Sequence, residues 1–100
     1  MEKHKPHYQL TEIQALVVVC GMAAFTQTAR INSLLMGLTA DQSLAIIASL
    51  TPAMFFKSMT THHDHRVWQD VYHAPCSIGK TAYIKLTLQA GSVVIQFKER

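Results

Sequence analysis

The stretch that decides the fold runs from Thr81 to Lys98 and reads TAYIKLTLQ, AG, SVVIQFK. Apolar and polar residues alternate on both sides of the two-residue link Ala90-Gly91. Alternation with a period of two is typical of β-strands, and a glycine-containing link of two residues between such runs predicts a β-hairpin. The carboxyl end of the chain is therefore expected to form an antiparallel sheet.

The short link also predicts the register of this hairpin. With Gln89 opposite Ser92, three apolar pairs face each other, namely Leu88 with Val93, Leu86 with Ile95 and Ile84 with Phe97. These side chains share one face, which we expect to pack against helices. The other face carries Tyr83, Lys85, Thr87, Gln96 and Lys98, and Tyr83 becomes the cross-strand neighbour of Lys98.

Upstream of the hairpin, residues 66–72 also alternate, and residues 73–79 contain Pro75 and Gly79, which predict a loop. The first half of the chain has helical periodicity instead. We expect helices over 11–21, over 28–36 and from Thr39 onward. The spacings Thr11 to Gln14 and Thr39 to Gln42 are those of capping boxes.

The apolar periodicity predicts which side of each helix is buried. The second helix should turn Ile31, Leu34 and Leu35 inward, and the third should bury Leu44, Ile46, Ile47 and Leu50. Thr51-Pro52 then predicts a short helical turn that carries Phe55 and Phe56. Helices followed by strands, with no repeat and no linker, indicate an α+β fold in one domain, residues 1–100.

Positive charge is concentrated in the second half of the chain. Residues 1–56 carry three cations and three anions, whereas residues 57–100 carry six cations and three anions, which accounts for the whole net charge of +3. Such an asymmetry favours a polyanionic partner bound through its phosphates.

Two sequence features indicate the cellular compartment of the protein, namely its two cysteines and the apolar run at residues 16–25. Cys20 and Cys76 show no CxxC spacing, so we expect free thiols in a reducing environment. The apolar run is about half a membrane span and is preceded by Glu12 and Gln14, which argues against an export signal. We expect a cytoplasmic protein that does not contact the membrane.

The predicted neighbours Tyr83 and Lys98 admit two interpretations. Cleaving RNA without a metal requires proton transfer from the 2'-hydroxyl and to the 5'-oxygen, with positive charge near the phosphorus. Phenol and ammonium groups can supply these functions. The simpler alternative is that the pair is only the polar side of a half-exposed sheet, where such pairs are common.

Two strings and their separation point to a family. They are Phe55-Phe56-Lys57-Ser58-Met59-Thr60-Thr61 and Trp68-Gln69-Asp70-Val71-Tyr72, with Asp64-His65 between them. The chain resembles the MqsR family of mRNA interferase toxins in these strings. The resemblance extends to Ala82-Tyr83-Ile84-Lys85, to Phe97-Lys98-Glu99 and to Met1-Glu2-Lys3 with Pro6-His7.

The resemblance implies a RelE-like fold, a twisted antiparallel sheet with about three helices against it. It also implies the toxin of a type II toxin-antitoxin pair, a ribosome-independent endoribonuclease that cleaves mRNA at GC-containing triplets such as GCU without a metal or other cofactor. The family's functional residues correspond to Lys57, Gln69, Tyr83 and Lys98. Lys85 and Arg66 are expected RNA contacts.

The implied partners are mRNA and an MqsA-like antitoxin, with operator DNA reached only through the antitoxin. The alternative function is a regulatory subunit that binds nucleic acid or the antitoxin without cleaving RNA and so controls its own operon. Incubation with a defined RNA separates these two functions.

The cluster His62-His63-Asp64-His65 resembles a metal site only superficially. Adjacent residues of an extended segment point to opposite faces, and structural zinc usually takes ligands from two separated pairs. We therefore expect a polar loop and no metal. His65 lies close to the expected basic face and is a second-rank catalytic candidate.

Overall fold

The computed structural model describes residues 1–100 and contains three α-helices and five β-strands. The helices are α1 (Leu10–Cys20), α2 (Gln27–Leu35) and α3 (Ala40–Ala48). The strands are β1 (Glu2–Lys3), β2 (Phe55–Thr60), β3 (Trp68–Pro75), β4 (Thr81–Gln89) and β5 (Ser92–Glu99). They form one antiparallel sheet in the order β1-β2-β3-β4-β5. The expected α+β fold, with its helices in the first half, is confirmed.

The hairpin of β4 and β5 has the predicted register. Leu88 pairs with Val93, Leu86 with Ile95, Ile84 with Phe97 and Tyr83 with Lys98. Ala90 and Gly91 both have positive φ, 51° and 79°, as a tight turn between twisted strands requires. The register places the apolar residues of both strands on the same side of the sheet.

That apolar side is covered by the helices. Ile84, Leu86, Ile95 and Phe97 are at most 2% exposed, and they belong to one core cluster with residues of α1 and α3. Burying so many branched and aromatic side chains is the main stabilising contribution to this packing. The helices leave the opposite side of the sheet open.

Two strands contain residues that the sequence placed outside them. Phe55 and Phe56 were expected in a helical turn, but the turn occupies Pro52–Met54 and both residues begin β2. His73 and Pro75 were expected in a loop, but they extend β3, where they pair with Tyr83 and Thr81 of β4. Pairing with a neighbouring strand supplies backbone hydrogen bonds that local sequence does not reveal.

The capping box predicted for α1 is wrong. The helix begins at Leu10, and the side chain of Gln14 donates instead to the carbonyl oxygens of Ile47, Ala48 and Leu50, at 3.1, 3.2 and 3.0 Å. These carbonyls lie at the carboxyl end of α3, where a helix has no partners of its own. The capping box predicted for α3, Thr39 with Gln42, is present.

The buried side of α2 also differs from the prediction. Ile31, Leu34 and Leu35 are 50%, 67% and 77% exposed, whereas Ala29 and Ser33 are buried. The small residues allow α2 to approach β5, the outermost strand of the sheet, closely. The apolar stripe has helical periodicity but faces solvent, because the close packing against β5 turns the side with the small residues inward.

The two cysteines are free thiols, as expected; Cys20 is exposed and Cys76 is buried. No single helix is long and apolar enough to cross a bilayer, and the one helix pair that reaches the length together, α2 with α3, is bent by 104°.

Candidate functional site

The side of the sheet away from the helices, here called the outer face, brings together residues from four strands. Lys57 of β2 pairs with Val71 of β3, which pairs with Lys85 of β4, which pairs with Gln96 of β5. Residues that pair across neighbouring strands have their side chains on the same side of the sheet, so all four point to the outer face. Tyr83 and Lys98 pair two residues farther along β4 and β5, so their side chains point to the outer face as well.

Tyr83 lies at the centre of this positive surface. The Lys98 ammonium is 5.1 Å from the centroid of its ring and the Lys85 ammonium is 6.0 Å from it, both within cation–π range. Burial lowers the pKa of Lys85, and the positive charges of Lys98 and Lys57 lower it further. The charges of Lys57 and Lys98 thus act on Lys85, and an anion bound among the three would be stabilised by them.

Lys57 is held by a carboxylate of the N-terminal strand. Its Nζ lies 2.6 Å from Oε1 of Glu2, and β1 pairs with β2 beside it. The hydrogen bond and charge of Glu2 raise the pKa of Lys57, and Lys57 lowers the pKa of Glu2 in return. A phosphate that binds Lys57 must therefore compete with Glu2.

An aromatic stack supports Tyr83 from the β2 side. The ring of Phe56 stacks on His73 with centroids 4.4 Å apart, and His73 packs against Tyr83 at 5.4 Å. Nε2 of His73 is buried without a hydrogen-bond partner. Burial and the charge of Arg100 lower the pKa of His73, which favours the neutral imidazole between the two rings.

Gln69 lies farther along the outer face, where it is only 8% exposed. It lines an open groove of about 400 Å³ together with His62, His63, Lys85 and Gln96. Lys85 connects this groove to the cluster around Tyr83. The four side chains predicted as catalytic on the strands, Lys57, Gln69, Tyr83 and Lys98, therefore lie on one continuous surface.

Comparison with known proteins gives the family of the chain. The family model described as "Motility quorum-sensing regulator, toxin of MqsA" matches residues 5–99.

The chain belongs to the MqsR toxin family.

A relative from Escherichia coli (strain K12), the mRNA interferase toxin MqsR, is 37% identical over 100 residues, and the match covers all of both chains.

The loop between β2 and β3 of this MqsR-family chain keeps its own polar contacts. Oγ1 of Thr61 accepts from the amide of Asp64, and Asp64 binds the Arg66 guanidinium at 3.0 and 3.3 Å. Arg66 and His65 are exposed, and neither borders the groove that contains Gln69. The structure thus separates these two predicted residues from the lysines and the tyrosine.

A buried carboxylate that sequence reasoning missed anchors the N-terminal arm, residues 1–9. Asp70 is 1% exposed and accepts hydrogen bonds from the Ser58 hydroxyl at 2.6 Å, from the His7 amide at 3.0 Å and from the Tyr8 amide at 2.9 Å. Such a carboxylate is stable inside the protein only when it is fully hydrogen-bonded. Nothing in the string WQDVY distinguishes it from a surface aspartate.

The N-terminal arm covers Trp68. His7 stacks on the indole with centroids 5.5 Å apart, and the Lys3 ammonium lies 4.2 Å from the ring centroid. Trp68 is half-buried, whereas Tyr72 is buried in the core, where burial raises its pKa to about 12. Asp70 and Trp68 together hold the arm so that Glu2 reaches Lys57.

Proposed function

We propose that residues 1–100 form one toxin domain whose outer face cleaves mRNA. The observation that supports this most strongly is the pair of lysine ammonium groups, Lys85 and Lys98, beside the Tyr83 ring, with the charge of Lys57 acting on Lys85. The family is that of a 37% identical relative named an mRNA interferase toxin. A surface of this kind attracts phosphates and stabilises negative charge that develops on them. We propose cleavage that is independent of the ribosome and of metal, at GC-containing triplets.

In the proposed reaction, the 2'-hydroxyl oxygen of a ribose forms a bond to the neighbouring phosphorus and loses its proton. The bond from phosphorus to the 5'-oxygen breaks, and that oxygen takes up a proton. The products are a 2',3'-cyclic phosphate and a 5'-hydroxyl. Lys57 and Lys98 neutralise the phosphorane oxygens, and Tyr83 transfers a proton.

The remaining residues have positioning roles in this proposal. Lys85 binds an adjacent phosphate, since its neighbouring charges favour an anion. Gln69 orients the RNA in the groove that it lines. Arg66 contacts the RNA from the loop, and His65 stays a second-rank catalytic candidate there.

The test incubates the purified protein with a defined RNA, with and without a chelator, and identifies the ends of the products. We expect 2',3'-cyclic phosphate ends that are unaffected by the chelator. Lys57→Ala and Tyr83→Phe should abolish cleavage while circular dichroism stays unchanged. Lys80→Ala is the matched control, because Lys80 pairs with Glu99 at 3.6 Å and does not line the groove that contains Gln69. Equal cleavage by all variants would refute the proposed site.

The family description, toxin of MqsA, favours a second role as an antitoxin partner. We propose that the chain acts in the cytoplasm, binds an MqsA-like antitoxin and reaches operator DNA only through it. A gel shift of operator DNA with antitoxin, titrated with this protein, tests the role. A shift by the toxin alone would contradict it.

A further inference from the structure

A second groove of about 400 Å³ opens beside Tyr83 and Lys98, between the sheet and α2. Its sheet wall is formed by Tyr83, Lys85, Gln96, Phe97 and Lys98. Its helix wall is formed by Thr26, Thr28, Ala29 and Asn32. The volume lies within the range of small-ligand sites, about 300–1,000 Å³. The groove therefore extends the proposed reaction site to α2, a helix that carries none of the residues predicted for the site.

The helix wall is fixed relative to the sheet. The Thr26 amide donates to the Ile95 carbonyl at 3.1 Å, and the Asn32 side-chain amide donates to the Phe97 carbonyl at 3.0 Å. These bonds join α2 and its N-cap residue Thr26 to the edge of β5, which would otherwise carry unpaired backbone groups. A wall held in this way can present side chains in a constant geometry, which selective recognition requires.

The side chains of the groove suit a nucleobase. The Asn32 amide nitrogen is occupied by Phe97, so its Oδ1 is left to accept a hydrogen bond from a ligand. The hydroxyl of Thr28, which is exposed, adds a donor and an acceptor on the same wall. Tyr83 supplies an aromatic wall opposite. A flat ring with N–H groups along one edge matches this combination, and single-stranded RNA is read by such contacts to its base edges.

We propose that this groove binds the base of a nucleotide next to the scissile phosphate, and that Asn32 and Thr28 set the sequence preference of cleavage. The proposal deepens the proposed function, because it assumes that RNA lies on the outer face. Lys98 holds the phosphate at the mouth of the groove. The Oδ1 of Asn32 then accepts from an N–H of the base edge.

The first test sequences the ends of all fragments cut from a mixed RNA pool. Asn32→Ala and Thr28→Val should reduce the discrimination between bases at one position next to the cut on the order of tenfold, the effect of losing about one net hydrogen bond. Thr11→Val is the matched control, an exposed helical threonine on α1 that lies outside the groove. A variant that cuts more slowly but with the wild-type preference would overturn the proposal, since a purely structural role gives that result.

The second test does not require cleavage. Asn32 is the only asparagine in the chain, so its side-chain amide gives an identifiable NMR signal. A 2'-deoxy oligonucleotide, which cannot react, should shift that signal, whereas it should leave the backbone amide of Thr11 unmoved. If the wild-type protein fails to cut RNA but the Asn32 signal shifts, the nuclease proposal fails and the base site stands. A signal that responds to an antitoxin and not to the oligonucleotide would overturn the base site.

Discussion

Replacing Asp70 with asparagine tests how the N-terminal arm is held on the sheet. The carboxylate accepts from three donors, the Ser58 hydroxyl and the amides of His7 and Tyr8, and it is 1% exposed. A hydrogen bond to a buried charged group contributes about 1.5–3 kcal/mol. Asparagine keeps one acceptor oxygen but turns an NH₂ group toward the other donors. We therefore expect Asp70→Asn to lower the free energy of unfolding by about 3 kcal/mol, and the melting temperature by about 12–24 °C for a domain of this size.

Urea unfolding followed by tryptophan fluorescence measures this change, because Trp68 is the only tryptophan and lies beneath the arm. The native emission of the variant should also move to longer wavelength as His7 leaves the indole. Asp64→Asn is the control, since Asp64 pairs with an Arg66 side chain that is 90% exposed. An Asp70→Asn variant as stable as the Asp64→Asn control would refute the proposed anchoring of the arm.

Three further predictions concern charge on the outer face. Glu2→Gln removes the carboxylate that competes for Lys57, so a non-reactive RNA should bind more tightly in fluorescence anisotropy; weaker binding would contradict this. Lys98→Ala should flatten the slope of log affinity against log salt by about 0.7, the value for one phosphate contact of a single strand, whereas Lys80→Ala should leave the slope unchanged. The stability that depends on a neutral His73 is present above the ordinary histidine pKa of about 6.5 and is lost as the pH falls through its lowered pKa.

The His73 prediction is checked by unfolding experiments between pH 8 and pH 5, with His73→Phe as the comparison. Phenylalanine keeps the stack with Phe56 and Tyr83 but cannot take up a proton. The wild type should therefore lose more stability on acidification than the variant does. Equal losses would mean that the imidazole is not held neutral in the folded protein.

The hairpin could be predicted from the sequence because its determinants are local. Alternation along β4 and β5 and the two residues at positive φ, Ala90 and Gly91, lie within one short stretch. The neighbouring positions of Tyr83 and Lys98 follow from that register alone. The place of Lys57 in the same site was expected only from the family resemblance, because no local pattern indicates that β2 joins this sheet.

The features that sequence reasoning missed depend on contacts between distant segments. Asp70 accepts hydrogen bonds from the backbone amides of His7 and Tyr8, which lie more than sixty residues earlier in the chain. The exposed side of α2 carries the apolar stripe because Ala29 and Ser33 allow a closer approach to β5. The positions of Glu2 and His73 in the site follow from the order of the strands in the sheet, which periodicity does not predict. Periodicity describes one element at a time and does not give these contacts.

In the proposed complex, RNA lies across the outer face of the sheet, over Lys57, Tyr83, Lys85 and Lys98. The most direct test is an NMR titration of the labelled protein with a 2'-deoxy oligonucleotide, which maps every backbone amide that responds. We expect the largest shifts in β2, β4 and β5 around Tyr83, with little change in α1 and α3. Shifts concentrated on the helices, with the amides near Tyr83 unmoved, would contradict it.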